Sequence, residues 1–354
     1  MIWPALLAGT LMILVSIVDI FLTVLYARKG SGLLSPLMTR WFWRAVKILS
    51  QPLGSSRGTA LTFVGPALVI VLAATWALLL LFGFALIFWP CLGATLQAGK
   101  GATSTDFLTA VYYSGFCLTT LGLGDIAPQS GLVRLLTVAE AALGFSFFTL
   151  TITYFLSVFS ALLRRNAFSS LVHQKTGLSG KSAFLVVGLL SKSSLGETGP
   201  HLRELAAGVA DILESDHFYP VLHFFRFHGR HYALPWTLAI LLDTVSLLRT
   251  LPLTAYQEIE LEVCQLETAC RELLRQLSED FIGRQAAGGN GFSTDTVSLW
   301  HGHYSEVLRA VQSRGALSEE GTPGGEEYVQ SRSEWQAELE ELCHAMAFDA
   351  EDIL

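Results

Sequence analysis

Long apolar stretches alternate with short polar segments in the first half of the chain. Three of these stretches, residues 2–26, 61–89 and 132–163, contain only three charged residues among them. A helix needs about 20 apolar residues to cross the hydrocarbon core of a bilayer, so the pattern predicts three transmembrane helices. The N-terminal residues Met1-Ile2-Trp3-Pro4 lack the basic cluster of a secretory signal, so we expect a retained helix.

A shorter apolar run, Asp106 to Leu118, lies between the second and third stretches and is too short to cross. Thr105 and Asp106 provide a helix start, because a short polar side chain caps free N–H groups and a carboxylate suits the positive end of the helix dipole. A glycine-rich segment follows. Non-helical backbone at membrane depth is tolerated only inside protein or beside water, so we predict a re-entrant helix and loop.

Basic residues predict the orientation of the spans. Cytoplasmic loops carry an excess of Lys and Arg. Such residues follow the first and third stretches, whereas the segment 90–106 contains only Lys100. We therefore expect the linker after the first span and the C-terminal half to be cytoplasmic and the loop to face outside. The basic residues concerned are Arg28, Lys29, Arg40, Arg44, Lys47, Arg57, Arg164 and Arg165.

The linker between the first two spans has its own pattern. Apolar residues recur at helical spacing from Leu33 to Leu49, with basic residues interleaved. This is typical of an amphipathic helix at the membrane interface, here anchored by Trp41 and Trp43. An ordinary connecting helix and a helix with a role in gating are both compatible with the pattern.

The segment after the short helix has the chemistry of a cation pathway. It reads Thr119-Thr120-Leu121-Gly122-Leu123-Gly124-Asp125. A dehydrated cation needs oxygen ligands, which rings of backbone carbonyls can supply. Glycines two positions apart allow successive carbonyls to turn toward one axis. One loop cannot enclose an axis, so several copies under cyclic symmetry are needed.

These residues resemble the filter of the potassium channel pore family, whose pattern is T-[TV]-G-[YFL]-G-D. The chain has Leu121 in place of the usual Val and Leu123 in place of the usual aromatic residue, and its Gly-Leu-Gly is similar to the second pore of some two-pore-domain potassium channels. The resemblance covers residues 61–163. It implies a tetramer that conducts K⁺ passively through filter ion sites.

The resemblance also implies roles for single residues. The ion-binding selectivity filter is formed by Thr120, Leu121, Gly122, Leu123 and Gly124. The carbonyls of the first four, with the Thr120 hydroxyl, line the ion sites, while Thr119 and Asp125 support the filter. Because Leu123 has no aromatic hydroxyl, we expect no tyrosine brace here. A non-selective cation pore and a glycine turn without conduction remain alternatives.

The third span contains further candidate residues. Gly144 lies 20 residues after Gly124 and resembles the hinge glycine of the family's inner helix, although a glycine can equally serve close helix packing. If the hinge register holds, the residues that face the cavity or form an apolar gate are Phe145, Phe148, Ile152 and Leu156.

Two acidic residues lie within predicted spans, where a charge is costly and has a partner or a function. For Glu140 we expect a structural hydrogen bond behind the filter, with a packed neutral carboxyl as the alternative. For Asp19 we expect a basic partner from the linker.

Residues 166–354 have mostly helical patterns and carry most of the charge. We predict helices at 201–213, 234–251, 256–277, 296–312 and 331–348. The apolar segment 234–251 contains Pro235, Asp243 and Arg249, which favours a buried core helix over a fourth span. A group of histidines could titrate near neutral pH or bind a metal, although ordinary packing fits their spacing better. They are His217, His223, His228 and His231.

Composition supports this reading. The chain is 51% hydrophobic and 15% charged, and its mean hydropathy is +0.47. Its net charge of −7 gives no reason to expect nucleic acid, and its five cysteines have no paired spacing. We find no catalytic or resident metal pattern, so we expect no enzyme and no cofactor other than permeant K⁺, with the gating ligand left open.

The predicted class is an all-α membrane protein: three transmembrane helices, a re-entrant pore helix and filter, and a helical cytoplasmic C-terminal domain. The domains are an extra transmembrane helix (1–30), an amphipathic linker (31–60), the pore module (61–165) and the cytoplasmic domain (166–354). We expect a homotetramer in contact with lipid in a prokaryotic plasma membrane. The rival hypothesis is a non-conducting membrane-anchored sensor or scaffold.

Overall fold

The computed structural model describes residues 2–26, 32–50, 52, 57–190, 197–227, 229–254, 256–282, 292–317 and 324–348. Arg28, Lys29 and His228 lie outside these ranges. The chain forms two compact units. The first comprises Met1–Ser160 with His217–Phe225, and the second comprises Ala161–Asp216 with Arg226–Leu354.

The first unit is built from helices with one short strand pair. Its helices are α1 (Ile2–Ile20, continued by a π-helical turn, Phe21–Leu25), α2 (Ser35–Leu49), α3 (Arg57–Thr62), α4 (Val64–Phe88), α5 (Phe107–Leu118) and α6 (Gly131–Lys175). The strands are β1 (Leu96–Ala98) and β2 (Ile126–Pro128), which pair antiparallel. The end of α6 continues into the second unit.

Three helices of the described residues are long and apolar enough to cross a membrane. They are Trp3–Leu25, Val64–Cys91 and Gly131–Lys175, while Phe107–Leu118 is apolar but shorter. The prediction of an all-α membrane protein with three long apolar helices and a helical C-terminal region is confirmed. The third helix extends 12 residues beyond its predicted end at residue 163.

Helix α1 packs directly against α4. A Cβ atom at Gly9 would lie 2.5 Å from the carbonyl oxygen of Gly83, and one at Gly83 would lie 2.7 Å from the Ile13 side chain. The two backbones can approach this closely because both positions lack a side chain, as is common between membrane helices.

Asp19 joins three elements of the first unit. The basic partner expected from the linker is not among its contacts in the described residues, which do not include Arg28 and Lys29. Its carboxylate accepts hydrogen bonds from the backbone N–H of Leu34 (2.8 Å), the Ser35 hydroxyl (2.7 Å) and the indole N–H of Trp76 (2.7 Å). A second backbone donor, the N–H of Ser35, lies at 3.4 Å. Hydrogen bonds from several neutral donors stabilise a buried carboxylate.

Helix α2 presents one face to the protein and the other outward. Trp41 is 63% exposed, whereas Trp43 is buried and its ring lies 5.3 Å from that of Phe224. The expectation that both tryptophans anchor the helix at the interface is therefore wrong for Trp43.

The secondary structure of the second unit is helical in the residues described, apart from an isolated β-bridge between Leu253 and Leu317. Besides the end of α6 it contains α7 (Ser182–Leu189), α8 (Thr198–Phe218), α9 (Leu234–Thr250), α10 (Glu260–Phe281), α11 (Thr294–Gln312) and α12 (Gly325–Ala345). Every residue of α9 from Leu234 to Leu248 is buried except Ala239. The prediction that this segment is a core helix is confirmed. Helix α7 was not predicted.

A buried acid on α9 connects three other helices of this unit. Asp243 accepts hydrogen bonds from the Tyr328 hydroxyl (2.6 Å), Arg332 Nη1 (2.9 Å) and Ser182, and lies 3.1 Å from His303 Nε2. Burial alone would raise the pKa of Asp243, but the Arg332 charge and the bonds from His303 and Ser182 outweigh it and hold that pKa well below its usual range.

The predicted histidine group does not form a metal site in the described residues. No group of three or more His, Cys, Asp or Glu side chains there is arranged to hold a metal ion. His231 stacks instead on His173, with ring centroids 4.7 Å apart, and His223 is buried. The five cysteines are free thiols, as their spacing predicts.

Replacing Asp243 by Ala should destabilise the second unit. The substitution leaves Arg332 as a buried charge without its carboxylate, which costs about 3–5 kcal/mol. We expect faster amide hydrogen exchange throughout α9 in the full-length protein in detergent, measured by mass spectrometry. Glu306→Ala, which removes an exposed carboxylate, should leave exchange in α9 unchanged. Equal exchange in the two variants would contradict the structural role of Asp243.

The same carboxylate predicts an acid sensitivity. Folding lowers the pKa of Asp243, so its stabilising contribution is fully present above the unfolded value of 3.8 and is lost as the pH falls below it. The unfolding temperature of the wild-type second unit should therefore fall more steeply below about pH 4 than that of Asp243→Asn. Parallel pH profiles would contradict this assignment.

Candidate functional site

Helix α5 begins where the sequence predicts. Asp106 is its N-cap, and its carboxylate accepts hydrogen bonds from the backbone N–H of Thr109 (2.8 Å) and from the Thr109 hydroxyl (2.9 Å). The indole of Trp89 donates to the Thr105 carbonyl at 3.1 Å and ties this start to the end of α4. The C-terminal end of α5, which carries the partial negative charge of the helix dipole, is at Leu118.

The backbone turns sharply after α5 and its amides bond back to the helix. The N–H of Thr120 donates to the carbonyl of Cys117 (3.0 Å), and the N–H groups of Leu121 and Gly122 both donate to the carbonyl of Phe116 (2.9 and 3.2 Å). The helix end thus satisfies the amides of the turn.

The next residues alternate in backbone handedness. Thr120, Gly122 and Gly124 have φ values of +59°, +59° and +75°, whereas Leu121 and Leu123 between them do not have positive φ. A β-branched residue with positive φ is a genuine outlier, and such strain collects at functional sites. Alternation of this kind turns successive carbonyls to one side of the strand.

These carbonyls are left without partners inside the chain. In the part of the protein that the structure describes, the carbonyl oxygens of residues 120–123 accept no hydrogen bond. The side chains of Leu121 and Leu123 are 65% and 53% exposed on the single chain. The site is therefore a row of free acceptor oxygens beside two uncovered apolar side chains.

Asp125 is braced by a tyrosine, contrary to expectation. The Tyr112 hydroxyl on α5 donates to its carboxylate at 2.8 Å. Leu123 indeed has no hydroxyl, but a residue 11 positions earlier supplies one. The carbonyl of Asp125 also accepts from the N–H of Gly99 at 2.8 Å, continuing the β1–β2 ladder. The strand pair was not predicted.

Helix α5 is held between α4 and α6 by polar contacts. The Ser114 hydroxyl lies 3.0 Å from the Leu81 carbonyl on α4 and also bonds the carboxyl of Glu140 on α6. The Tyr113 and Thr137 hydroxyls lie 2.7 Å apart. The hydrogen bond expected for Glu140 is confirmed, and its partner is Ser114.

Gly144 allows α6 to touch the end of α5. A Cβ atom at this position would lie 1.9 Å from the carbonyl oxygen of Leu118. Of the two interpretations of this glycine, close packing therefore has direct geometric support. Because α6 is continuous through it, a hinge here stays a prediction.

The four predicted cavity residues are all exposed on the single chain: Phe145, Phe148, Ile152 and Leu156. Their spacing of three and four residues places them on one side of α6, while Phe147 and Tyr154 are buried on another. Their role in lining a cavity or gate stays a prediction.

An aromatic segment from later in the chain, His217–Phe225, belongs to the first unit and packs against α4 and α6. The ring of Tyr219 lies 6.1 Å from that of Tyr154, and the ring of Phe225 lies 6.0 Å from that of Phe159. A Cβ at Gly65 on α4 would lie 2.6 Å from the Phe225 ring. Sequence reasoning missed this segment, although its density of aromatic residues was a visible signal.

Two comparisons with known proteins bear on the region around α5 and on the chain as a whole. Residues 60–161 match a family model described as an ion channel. The chain is also similar to the uncharacterized membrane protein YdjJ of Bacillus subtilis (strain 168), with 25% identity over 287 residues that cover 78% of this chain and 79% of that protein. No solved structure matches the chain significantly. The protein is a multi-pass membrane protein whose residues 60–161 are similar to an ion channel domain.

Replacing Gly144 by Ala should displace the end of α5. The added methyl group would overlap the Leu118 carbonyl, and overpacking of this kind costs about 1–3 kcal/mol. We expect a lower unfolding temperature for the purified protein in detergent. Gly131→Ala is the matched control, because a Cβ at the first residue of α6 meets no atom within 4 Å. A similar unfolding temperature in both variants would contradict the close contact.

Proposed function

We propose that four copies of this chain form a potassium-selective channel whose ion sites are the backbone carbonyls of Thr120, Leu121, Gly122 and Leu123. The single observation that carries this proposal is the row of carbonyls without partners on a backbone of alternating handedness. Such oxygens can replace the hydration shell of a cation.

The surroundings of the row favour a cation over an anion. The N–H groups at the start of the row already donate to the carbonyls of Phe116 and Cys117. This part of the row therefore offers acceptor oxygens to an ion and not donor N–H groups. The C-terminal end of α5 adds partial negative charge next to the row. The Thr120 hydroxyl supplies one further oxygen for each chain.

Assembly follows from what a single chain leaves uncovered. At membrane depth, free carbonyls must face water, an ion or another protein group. The exposed side chains of Leu121 and Leu123 need apolar cover at the same time. Cyclic symmetry meets both needs, because each copy turns its carbonyls to the axis and its leucines to a neighbour. The number four rests on the family resemblance.

Selectivity for K⁺ rests on the Thr-Leu-Gly-Leu-Gly-Asp pattern and is supported by the Tyr112–Asp125 hydrogen bond. That bond attaches the outer end of the filter to α5 and limits its freedom to collapse around a smaller ion. A non-selective cation channel is the alternative if this brace is too weak.

We place the conduction gate on the exposed face of α6. Phe145, Phe148, Ile152 and Leu156 form an apolar row below the filter that can close by dewetting. The basic residues around α2 and after the third span favour a cytoplasmic C-terminal unit in a prokaryotic plasma membrane. Conduction is passive and involves no chemical step or resident cofactor.

The reversal potential of the purified protein in a planar bilayer tests this function. With K⁺ on one side and Na⁺ on the other, we expect reversal near the potassium equilibrium potential. Gly122→Ala should abolish this selectivity, because Gly122 has a φ of +59°, which L-residues adopt at a cost of about 1–2 kcal/mol. Gly302→Ala on α11, where a Cβ meets no atom within 4 Å, should conduct like wild type.

The other outcomes separate the rival functions. A robust current that reverses near zero would identify a non-selective cation channel. Silence of the wild-type protein across pH, voltage and calcium concentration would favour the non-conducting sensor, in which the helical second unit carries the activity.

A further inference from the structure

Helix α2 has an outward face that combines apolar and basic side chains. Leu37, Trp41 and Ile48 are large, apolar and exposed, and Arg40 and Arg44 are exposed beside them. Positions 37, 41, 44 and 48 are separated by four, three and four residues, so they form one stripe along the helix, with Arg40 at its edge. We call these five residues the α2 surface.

The charge of this part of the chain is one-sided. Residues 26–60 contain six basic and no acidic residues, and the chain has no Asp or Glu between Asp19 and Asp106. Within the described ranges, neither Arg40 nor Arg44 forms an ion pair. The α2 surface therefore carries positive charge without a counter-ion from its own segment.

The opposite face of α2 is fixed to the rest of the first unit. Ser35 is bonded to Asp19 on α1, and Trp43 packs against Phe224. These contacts set the rotation of the helix about its axis. The α2 surface is consequently held outward and cannot turn its apolar side chains into the protein.

The neighbouring elements place α2 at a membrane boundary. It lies between two helices that are long and apolar enough to cross a bilayer, Trp3–Leu25 and Val64–Cys91. An amphipathic helix in that position lies with its apolar side chains at the edge of the acyl region and its basic side chains among the headgroups. Tryptophan is enriched at this depth in membrane proteins, which agrees with the exposed position of Trp41.

We propose that the α2 surface is a binding site for anionic phospholipids. Leu37, Trp41 and Ile48 contact the acyl chains, while Arg40 and Arg44 bind lipid phosphates through their guanidinium groups. Arginine suits this role because its planar fork donates two hydrogen bonds to one phosphate. The inference rests on the membrane topology and does not depend on ion conduction.

A lipid explains the surface better than an acidic protein partner. A purely electrostatic partner would leave three large apolar side chains exposed to water. A zwitterionic lipid, whose own ammonium group offsets its phosphate, would leave the net positive charge of the arginines uncompensated. An anionic phospholipid satisfies both requirements at once. Each basic residue near such a headgroup layer strengthens binding about five-fold.

Lipid retention by the purified full-length protein tests this site without any measurement of current. The detergent-solubilised protein is titrated with phosphatidylglycerol or phosphatidylcholine, and bound lipid is counted by native mass spectrometry. We expect wild type to prefer phosphatidylglycerol. The double variant Arg40→Gln/Arg44→Gln should bind it roughly 25- to 30-fold more weakly and lose the preference.

A matched control has the same change in net charge elsewhere. Lys100 and Arg314 are exposed basic residues distant in sequence from α2, and Lys100→Gln/Arg314→Gln should bind phosphatidylglycerol like wild type. If the glutamine variant of the α2 surface fails to fold, Arg40→Lys/Arg44→Lys keeps both charges and should retain most of the preference. Raised salt should weaken phosphatidylglycerol binding to wild type and to the control.

Two results would overturn the proposal. Equal retention of the two lipids by wild type would exclude a preference for anionic headgroups. Equal loss of phosphatidylglycerol in the α2 variant and in the control would show that net charge alone governs retention. Either result would leave the proposed ion pathway untouched.

Discussion

The proposed pore loop of the first unit depends on how backbone polar groups are satisfied where water is scarce. A non-helical segment at membrane depth must find partners for every N–H and C=O group. Here the amides at the start of the turn bond to the last carbonyls of α5, and the carbonyls of residues 120–123 remain free. A free acceptor in this environment costs several kcal/mol unless an ion, water or another chain meets it. The proposed ion sites are a direct answer to that cost.

The surrounding contacts hold this segment in place. Ser114 and Tyr113 fasten α5 to α4 and α6 through hydroxyl groups, and Gly144 lets α6 approach the end of α5. Tyr112 and the β1–β2 pair fix the outer end. The segment is thus attached at both ends by residues outside the row of free carbonyls. Carbonyl oxygens coordinate a cation well only if their backbone neither spreads apart nor collapses, and the contacts above restrain that backbone.

Local patterns in the sequence predicted much of the first unit. The spans followed from apolar length, the start of α5 from its capping residue Asp106, and the conformation after it from the spacing of Gly122 and Gly124. The contacts that escaped prediction join residues far apart in the chain. Asp19 bonds Trp76 across 57 positions, and the strands β1 and β2 have only three residues each. Neither carries a local signature.

The contacts of the second unit were harder to predict from the sequence for the same reason. Helical periodicity located most of its helices, but it could not say which buried polar groups meet. Asp243 finds Tyr328 and Arg332 more than 80 positions away.

In the first unit, no pattern indicated that Trp43 would face inward against Phe224, since a tryptophan on an amphipathic helix is usually interfacial. The rotation of α2 is set by the Trp43–Phe224 contact and by the hydrogen bond from Ser35 to Asp19, which joins residues 16 positions apart.

The most direct test of the central claim is an experimental structure of the purified protein in lipid nanodiscs with K⁺ present. We expect four copies around one axis, with the carbonyls of Thr120 to Leu123 from each copy facing that axis and ion density between them. A monomer or dimer, or a tetramer whose carbonyls in this segment point away from the axis, would contradict it.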